Sequence, residues 1–276
     1  MDAIQTTEVK KQKLYRPAPP CLVYVKNLID VTPNLRRITF VGEDISNFPE
    51  FCPGAHIKVF LPLPHQTSPV LPTITSKGNT WENRDEKPLI RTYSVRKIRT
   101  HLQEIDIEFV LHGDNSPASS FAENAKSGDI IGLSRPSGPD PMVPSVENFY
   151  MVGDLTALPA IAAMLEVMPS HAKGYIWLSV LSEKDRIPLI KPEGVNLTYY
   201  VNNDKQLIED VMQFDFSTHN VHHWIAGEEN LVVPLRKFLL KERKIKKTNM
   251  YAIPYWRLDL KEEDYHQTRH DIMDQV

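Results

Sequence analysis

The hexapeptide RTYSVR occupies residues 91–96. In an extended strand side chains alternate, so Arg91, Tyr93 and Val95 share one face and Thr92, Ser94 and Arg96 the other. A strand built only to close a core would carry apolar residues on one side. A cation, a ring and two hydroxyls in four consecutive residues suit a flavin. An arginine can pair with a pyrophosphate, a tyrosine ring can stack on an isoalloxazine, and a serine hydroxyl can hydrogen-bond its reactive edge. A half-exposed strand with ordinary surface polar residues has the same composition, and the hexapeptide alone leaves both readings open.

Two further stretches point the same way. VLHGDNSPASSFAENAKSGD (110–129) reads as strand, turn and a helix opening at SPASS. Backbone N–H groups at a helix start bind anions, and Ser119 and Ser120 add hydroxyls. A plain serine cap on a short helix is the alternative. MVGDLTALPAIAAM (151–164) reads as strand, tight turn and helix, with Pro159 in the first helical turn. Doubly wound domains place a dinucleotide's pyrophosphate at such a turn. Only Gly153 of the glycine-rich fingerprint is present, so an ordinary buried β–α unit fits as well.

The charged residues discriminate less. Lys58 alternates away from Ile57, Val59 and Leu61 and can face solvent. KERKIKK (241–247) ends an expected helix, where cations suit the dipole, and reads as a solvated helix end. His266 and His270 share a helix face, but no third ligand is evident and no metal is expected. His222 and His223 point to opposite faces of a strand and cannot chelate together. Lys184 and Arg186 could meet a 2′-phosphate, whereas the interleaved Glu183 and Asp185 could favour a free ribose.

These residues need two kinds of scaffold. Residues 1–20 read as a flexible tail ending in RPAPP. From 21 to 140 come short strand-like runs: 21–28, 35–42, 55–62, 104–111 and 129–133. Ile105, Ile107, Phe109 and Leu111 alternate inward, with Glu104, Asp106 and Glu108 outward. Such a series predicts an antiparallel β-barrel. The stretch 62–88, rich in proline and polar residues, reads as an extended surface loop. After the proline-rich boundary 135–145 the pattern becomes β–α–β. Strands are expected at 148–153, 174–181, 197–201, 221–227 and 249–253, and helices at 156–168, 204–213, 231–243 and 262–273. That rhythm predicts an α/β domain over 146–276, a parallel sheet flanked by helices. The crevice between the two domains is the natural ligand site.

The chain has 276 residues, enough for two domains with their own cores. Hydrophobic residues make up 41%, charged residues 24%, and the net charge is −3, which argues against a nucleic-acid binder. Two cysteines, Cys21 and Cys52, exclude a disulfide framework and a four-cysteine cluster, and fit a reducing compartment. The opening MDAIQTTEVKKQK holds no apolar stretch, and LTALPAIAAMLEVM (155–168) is too short to span a membrane. A cytoplasmic protein without membrane attachment, monomeric, is expected.

RTYSVR, FVLHGDNSPAS, VGDLTALPAI, WIAGEE and YWR follow in that order across residues 91–257. This ordered set resembles the siderophore-interacting protein family of ferric-siderophore reductases, within the ferredoxin–NADP reductase superfamily. The resemblance spans about residues 20–260. It implies an N-terminal barrel that binds FAD through Arg91, Thr92, Tyr93, Ser94, Val110, His112, Pro117, Ala118 and Ser119. It implies a C-terminal domain that receives NADH or NADPH at Asp154, Thr156 and Ala157, with Glu228 on a neighbouring strand end. Tyr255, Trp256 and Arg257 would lie near flavin and substrate, and Lys58, Arg257 and Lys261 would form a basic rim for an anionic ferric siderophore. No side chain is assigned a catalytic role, because electron transfer belongs to the cofactor. The family usually has Gly at 116, 254 and 259, Trp at 121 and an acid at 155. This chain has Ser116, Pro254, Asp259, Phe121 and Leu155, and the last change makes the electron donor the least determined part. A general flavin or ferredoxin reductase, with reduced ferredoxin as partner, and a non-catalytic siderophore carrier are the alternatives.

Overall fold

The structure is a computed structural model that describes residues 18–274 apart from 77, 114, 115, 140, 218 and 261. The first seventeen residues of the expected tail, and Lys261, lie outside the described residues.

The N-terminal half is built on β1 (Cys21–Thr32), β2 (Leu35–Val41), β3 (His56–Leu61), β4 (Thr73–Thr75), β5 (Gly78–Thr80), β6 (Leu89–Arg99), β7 (Glu104–Val110), α1 (Pro117–Asn124) and β8 (Ile130–Leu133). Six of these strands close an antiparallel barrel in the order β1-β2-β7-β6-β3-β8. Ile57, Val59, Ile105, Ile107 and Phe109 fill its interior, as their alternation requires. RTYSVR lies within β6, antiparallel to β3, with Tyr93 opposite Ile57 and Ser94 opposite His56.

Two local expectations need correction. The 62–88 stretch is not wholly extended loop: it carries the β4–β5 hairpin and a short 3-10 turn at Arg84–Glu86. Its Leu71 packs over Gly132 against the barrel wall, beside Phe60. Phe60 is therefore buried, although it lies on the outward face of β3. Glu104, Asp106 and Glu108 also alternate outward, yet all three are buried. Cations from neighbouring strands cover them: Arg99 bonds Glu104 and Asp106, each at 2.7 Å, Arg37 bonds Glu108 at 2.5 Å, and Lys26 pairs with Glu104.

The C-terminal half comprises β9 (Asn148–Gly153), α2 (Leu158–Leu165), β10 (Lys173–Val180), β11 (Val195–Val201), α3 (Asp204–Gln213), β12 (Val221–Glu228), α4 (Glu229–Lys241), β13 (Met250–Trp256) and α5 (Glu262–Asp274). The five strands form one parallel sheet, ordered β11-β10-β9-β12-β13. α2 is shorter than expected at both ends; its first turn is given over to the Asp154 loop. Among the described residues no helix is long and apolar enough to cross a membrane.

The halves share a core and polar clasps. Leu35 of the barrel is fully buried with Leu158 and Ile161 of α2. Arg96 of β6 reaches Glu166, just past α2, at 2.5 Å. Asp185, fully buried after β10, accepts from Thr32 at 2.5 Å and from Asn34 at 2.8 Å in the β1–β2 hairpin. The carboxylate of Asp185 is thus committed to the domain junction rather than offered to a ribose. Arg186 pairs with Glu183 at 3.0 Å.

Candidate functional site

On the barrel side the flavin-type residues gather at one end. Tyr93 is half-buried, with its ring centroid 4.4 Å from that of Phe109. Phe109 in turn lies 6.2 Å from Phe121 of α1, so a run of rings joins RTYSVR to the SPASS helix. Thr92 is exposed and its hydroxyl takes a hydrogen bond from Lys58 Nζ at 2.5 Å. Arg91 is half-buried and steadied by its own neighbour, Nη1 donating to the Ile90 carbonyl at 2.8 Å.

The α1 residues divide into holders and held. Pro117 takes the first helical position, where its missing N–H costs nothing. Ala118 and Ser119 are buried. Ser119 Oγ accepts from His112 N–H at 3.1 Å and donates to Glu123 at 3.1 Å. Its hydroxyl therefore fixes the turn that carries His112 rather than pointing outward. Val110 packs in the core shared between the halves. Ser116, where the family usually has glycine, sits at φ −107°, a backbone any residue adopts.

On the C-terminal side one carboxylate organises the corner. Asp154 Oδ1 accepts from Thr156 N–H (2.8 Å), Thr156 Oγ1 (2.5 Å) and Ala157 N–H (3.3 Å). Its Oδ2 accepts from Glu228 N–H and from Trp256 Nε1–H, each at 2.8 Å. Burial pushes the Asp154 pKa up, against hydrogen bonds from Thr156 and Trp256 that favour the anion. Gly227, at φ +135°, makes the arrangement possible: a Cβ there would stand 2.7 Å from Asp154 Cγ. Gly153 likewise lets α2 approach, since its Cβ would meet that of Ala157 at 2.7 Å.

Leu155, where an acid is usual, is buried in the core and lies under the turn. Pro254 is tolerated in β13, an edge strand whose register shifts after its pair with Gly227. Asp259 replaces a usual glycine at φ +66°, a left-handed conformation that aspartate adopts more readily than most residues.

The two sides meet at Tyr255. Its hydroxyl faces those of Ser94 on the barrel and Tyr251 on its own strand, and burial raises its pKa well above the ordinary value. His56, opposite Ser94, bonds Ser137 through Nε2 at 2.7 Å. Burial lowers its pKa, and Lys58 and Arg269 add to the effect. Neither Tyr251 nor His56 stands out in the sequence, because neither belongs to a recognisable run.

The residues expected to form a basic rim have partners of their own. Lys58 lies beside Thr92, and Arg257 pairs with Glu229 at 3.3 Å. Among the described residues no three metal-ligating side chains gather. The His266 and His270 side chains lie outside the described residues.

This arrangement fits FAD. A cation at Arg91, the Tyr93 ring and the Ser94 hydroxyl on β6 are joined through the ring run to the helix start at Pro117–Ser119. The Asp154 turn, at the C-terminal edge of the parallel sheet, comes close to the same Tyr255 hydroxyl that faces Ser94.

Comparison with known proteins agrees. A siderophore-interacting FAD-binding domain model matches residues 24–140, and a siderophore-interacting protein model matches residues 146–259. The chain is 38% identical over 251 residues to the ferric vibriobactin reductase ViuB of Vibrio cholerae, covering 89% of this chain and 92% of that one. It is 25% identical over 232 residues to the NADPH-dependent ferric-chelate reductase of Escherichia coli, covering 82% and 88%. The crystal structure of the siderophore-interacting protein SipS from Aeromonas hydrophila superposes with a TM-score of 0.84 at 41% identity, over 93% of this chain and 98% of that one. A ferredoxin–NADP+ reductase from Plasmodium falciparum has the same fold, with a TM-score of 0.60 at 14% identity over 87% of this chain and 98% of that one. The chain belongs to the siderophore-interacting protein family.

Proposed function

We propose that this protein is an FAD-dependent ferric-siderophore reductase that takes electrons from NAD(P)H and releases iron as Fe(II). The observation that carries this reading is the meeting of Ser94 and Tyr255. It sets the flavin-type strand of one domain against the nucleotide-type corner of the other. The names of the Vibrio and Escherichia relatives support the reaction class and, for the latter, the donor.

FAD, when bound, accepts a hydride equivalent and yields electrons singly. The side chains supply binding, orientation and charge. Arg91 and the start of α1 offset the pyrophosphate charge. Tyr93 gives a flat wall backed by Phe109. Ser94 presents a hydroxyl to the reactive edge, held in place by Tyr255. Thr156 and Ala157 shape the turn that receives the nicotinamide end. Lys58 draws the anionic ferric siderophore toward the cleft. Fe(II) is a softer cation than Fe(III) and is held less tightly by hard oxygen donors, so reduction loosens the complex.

Leu155, buried where the family usually has an acid, bears on the donor. A reduced ferredoxin is therefore the second donor to test. The test is a visible spectrum of the FAD-loaded protein under nitrogen, with NADPH, NADH and a ferric siderophore added in turn. Bleaching by a nucleotide and recovery on adding the chelate are expected. Bleaching by neither nucleotide would move the donor assignment to a ferredoxin. Failure to bind FAD would remove the reading.

A further inference from the structure

Asp154 does more than hold the turn that leads into α2. The turn needs one acceptor, which the Oδ1 bonds to the Thr156 and Ala157 N–H groups supply, and asparagine would serve there equally well. The second oxygen is turned the other way. It takes the backbone N–H of Glu228 and the indole N–H of Trp256, 102 residues further on. Only a carboxylate offers acceptors on both sides at once. The ends of β9, β12 and β13 are neighbours in the sheet, so a single side chain ties three strand ends together at its ligand-facing edge.

Trp256 has reason to be held. It is 37% exposed and opens a stretch in which exposed Leu258 and Leu260 alternate with Arg257 and Asp259. It directly follows Tyr255, which faces Ser94. An indole so exposed would sample several rotamers unless its N–H were fixed.

We propose that Asp154 is a positioning residue that locks the Trp256 indole as a preset wall of the substrate cleft. The wall then contributes to how tightly the ferric chelate is seated. This rests on the reductase reading given above.

The Asp154→Asn variant separates the two roles. Its amide oxygen keeps the turn, while its NH2 opposes the donors of Glu228 and Trp256. The protein contains four tryptophans, so 5-fluorotryptophan labelling gives four 19F resonances, with that of Trp256 assigned by its loss in Trp256→Phe. Asp154→Asn should shift or broaden that resonance and leave the other three in place. With a ferric tris-catecholate as probe it should raise KM about tenfold, the larger effect falling on KM rather than kcat. The double variant should be no worse than Trp256→Phe alone, because the lock has nothing left to hold. An unmoved Trp256 resonance, or effects that multiply in the double variant, would overturn the proposal. Should Asp154→Asn not fold, an unchanged chelate KM in Trp256→Phe would overturn it as well. Wild-type protein that does not turn over the chelate would remove the reductase reading, while the 19F comparison would still decide the positioning role.

Discussion

The Thr32 hydroxyl donates to the Asp185 carboxylate at 2.5 Å, from the barrel's first hairpin to the loop after β10. Asn34 and Ser182 complete the contact, each at 2.8 Å. Asp185 is fully buried, and its pKa is lowered because these hydrogen bonds outweigh the burial that opposes them.

Replacing Asp185 with alanine strands three donors at the domain junction. A loss of about 3 kcal/mol is expected, with a fall in Tm of roughly 5–10 °C by differential scanning fluorimetry. Asp185→Asn should lose less, since one acceptor remains. Equal losses in both would argue against the clasp.

Arg99 holds two buried acids, Glu104 and Asp106. Arg99→Ala leaves both without their arginine and should destabilise by about 3–5 kcal/mol. Arg99→Lys should recover part of this, because a lysine cannot reproduce the fork that spans two carboxylates. Urea midpoints of the three proteins check the order.

His222 and His223 stand side by side in β12, with Nε2 of each buried and without a hydrogen-bond partner. Burial pushes both pKa values down to about 4. In the unfolded chain they titrate near about 6.5, so between these values the unfolded state binds more protons. Stability should therefore be level above about pH 6.5 and fall as the pH drops toward 4, by up to about 3 kcal/mol per histidine. Replacing both with glutamine should flatten that slope in urea titrations. An unchanged slope would place the acid sensitivity elsewhere.

Gly227→Ala puts a Cβ against the Asp154 carboxylate on a backbone that disfavours side chains. A destabilisation of about 3 kcal/mol or more is expected, with the β12–α4 corner losing amide protection in hydrogen exchange before the barrel does.

The architecture was legible where periodicity was. Alternation in β3 and β7 marks the barrel interior, and the strand–helix rhythm after residue 145 marks the parallel sheet. What escaped depends on partners distant in sequence. Nothing local says that Glu104, Asp106 and Glu108 lie under a cover of arginines and lysine, or that Leu71 buries Phe60. The site shows the same division. RTYSVR and VGDLTALPAI carry local signals, whereas the Asp154–Trp256 bond joins residues 102 apart and the Arg257–Glu229 pair joins the end of β13 to the start of α4. The need for glycine at 227 appears only with Asp154 beside it.

The most direct test of the account is anaerobic Fe(II) production. FAD-loaded protein, a ferric siderophore and either NADPH or NADH are mixed with ferrozine, which colours on binding Fe(II). The account predicts catalytic, protein-dependent colour with at least one nucleotide, reduced when Lys58 is replaced by alanine. Protein that holds FAD yet yields no Fe(II) from either nucleotide would contradict it.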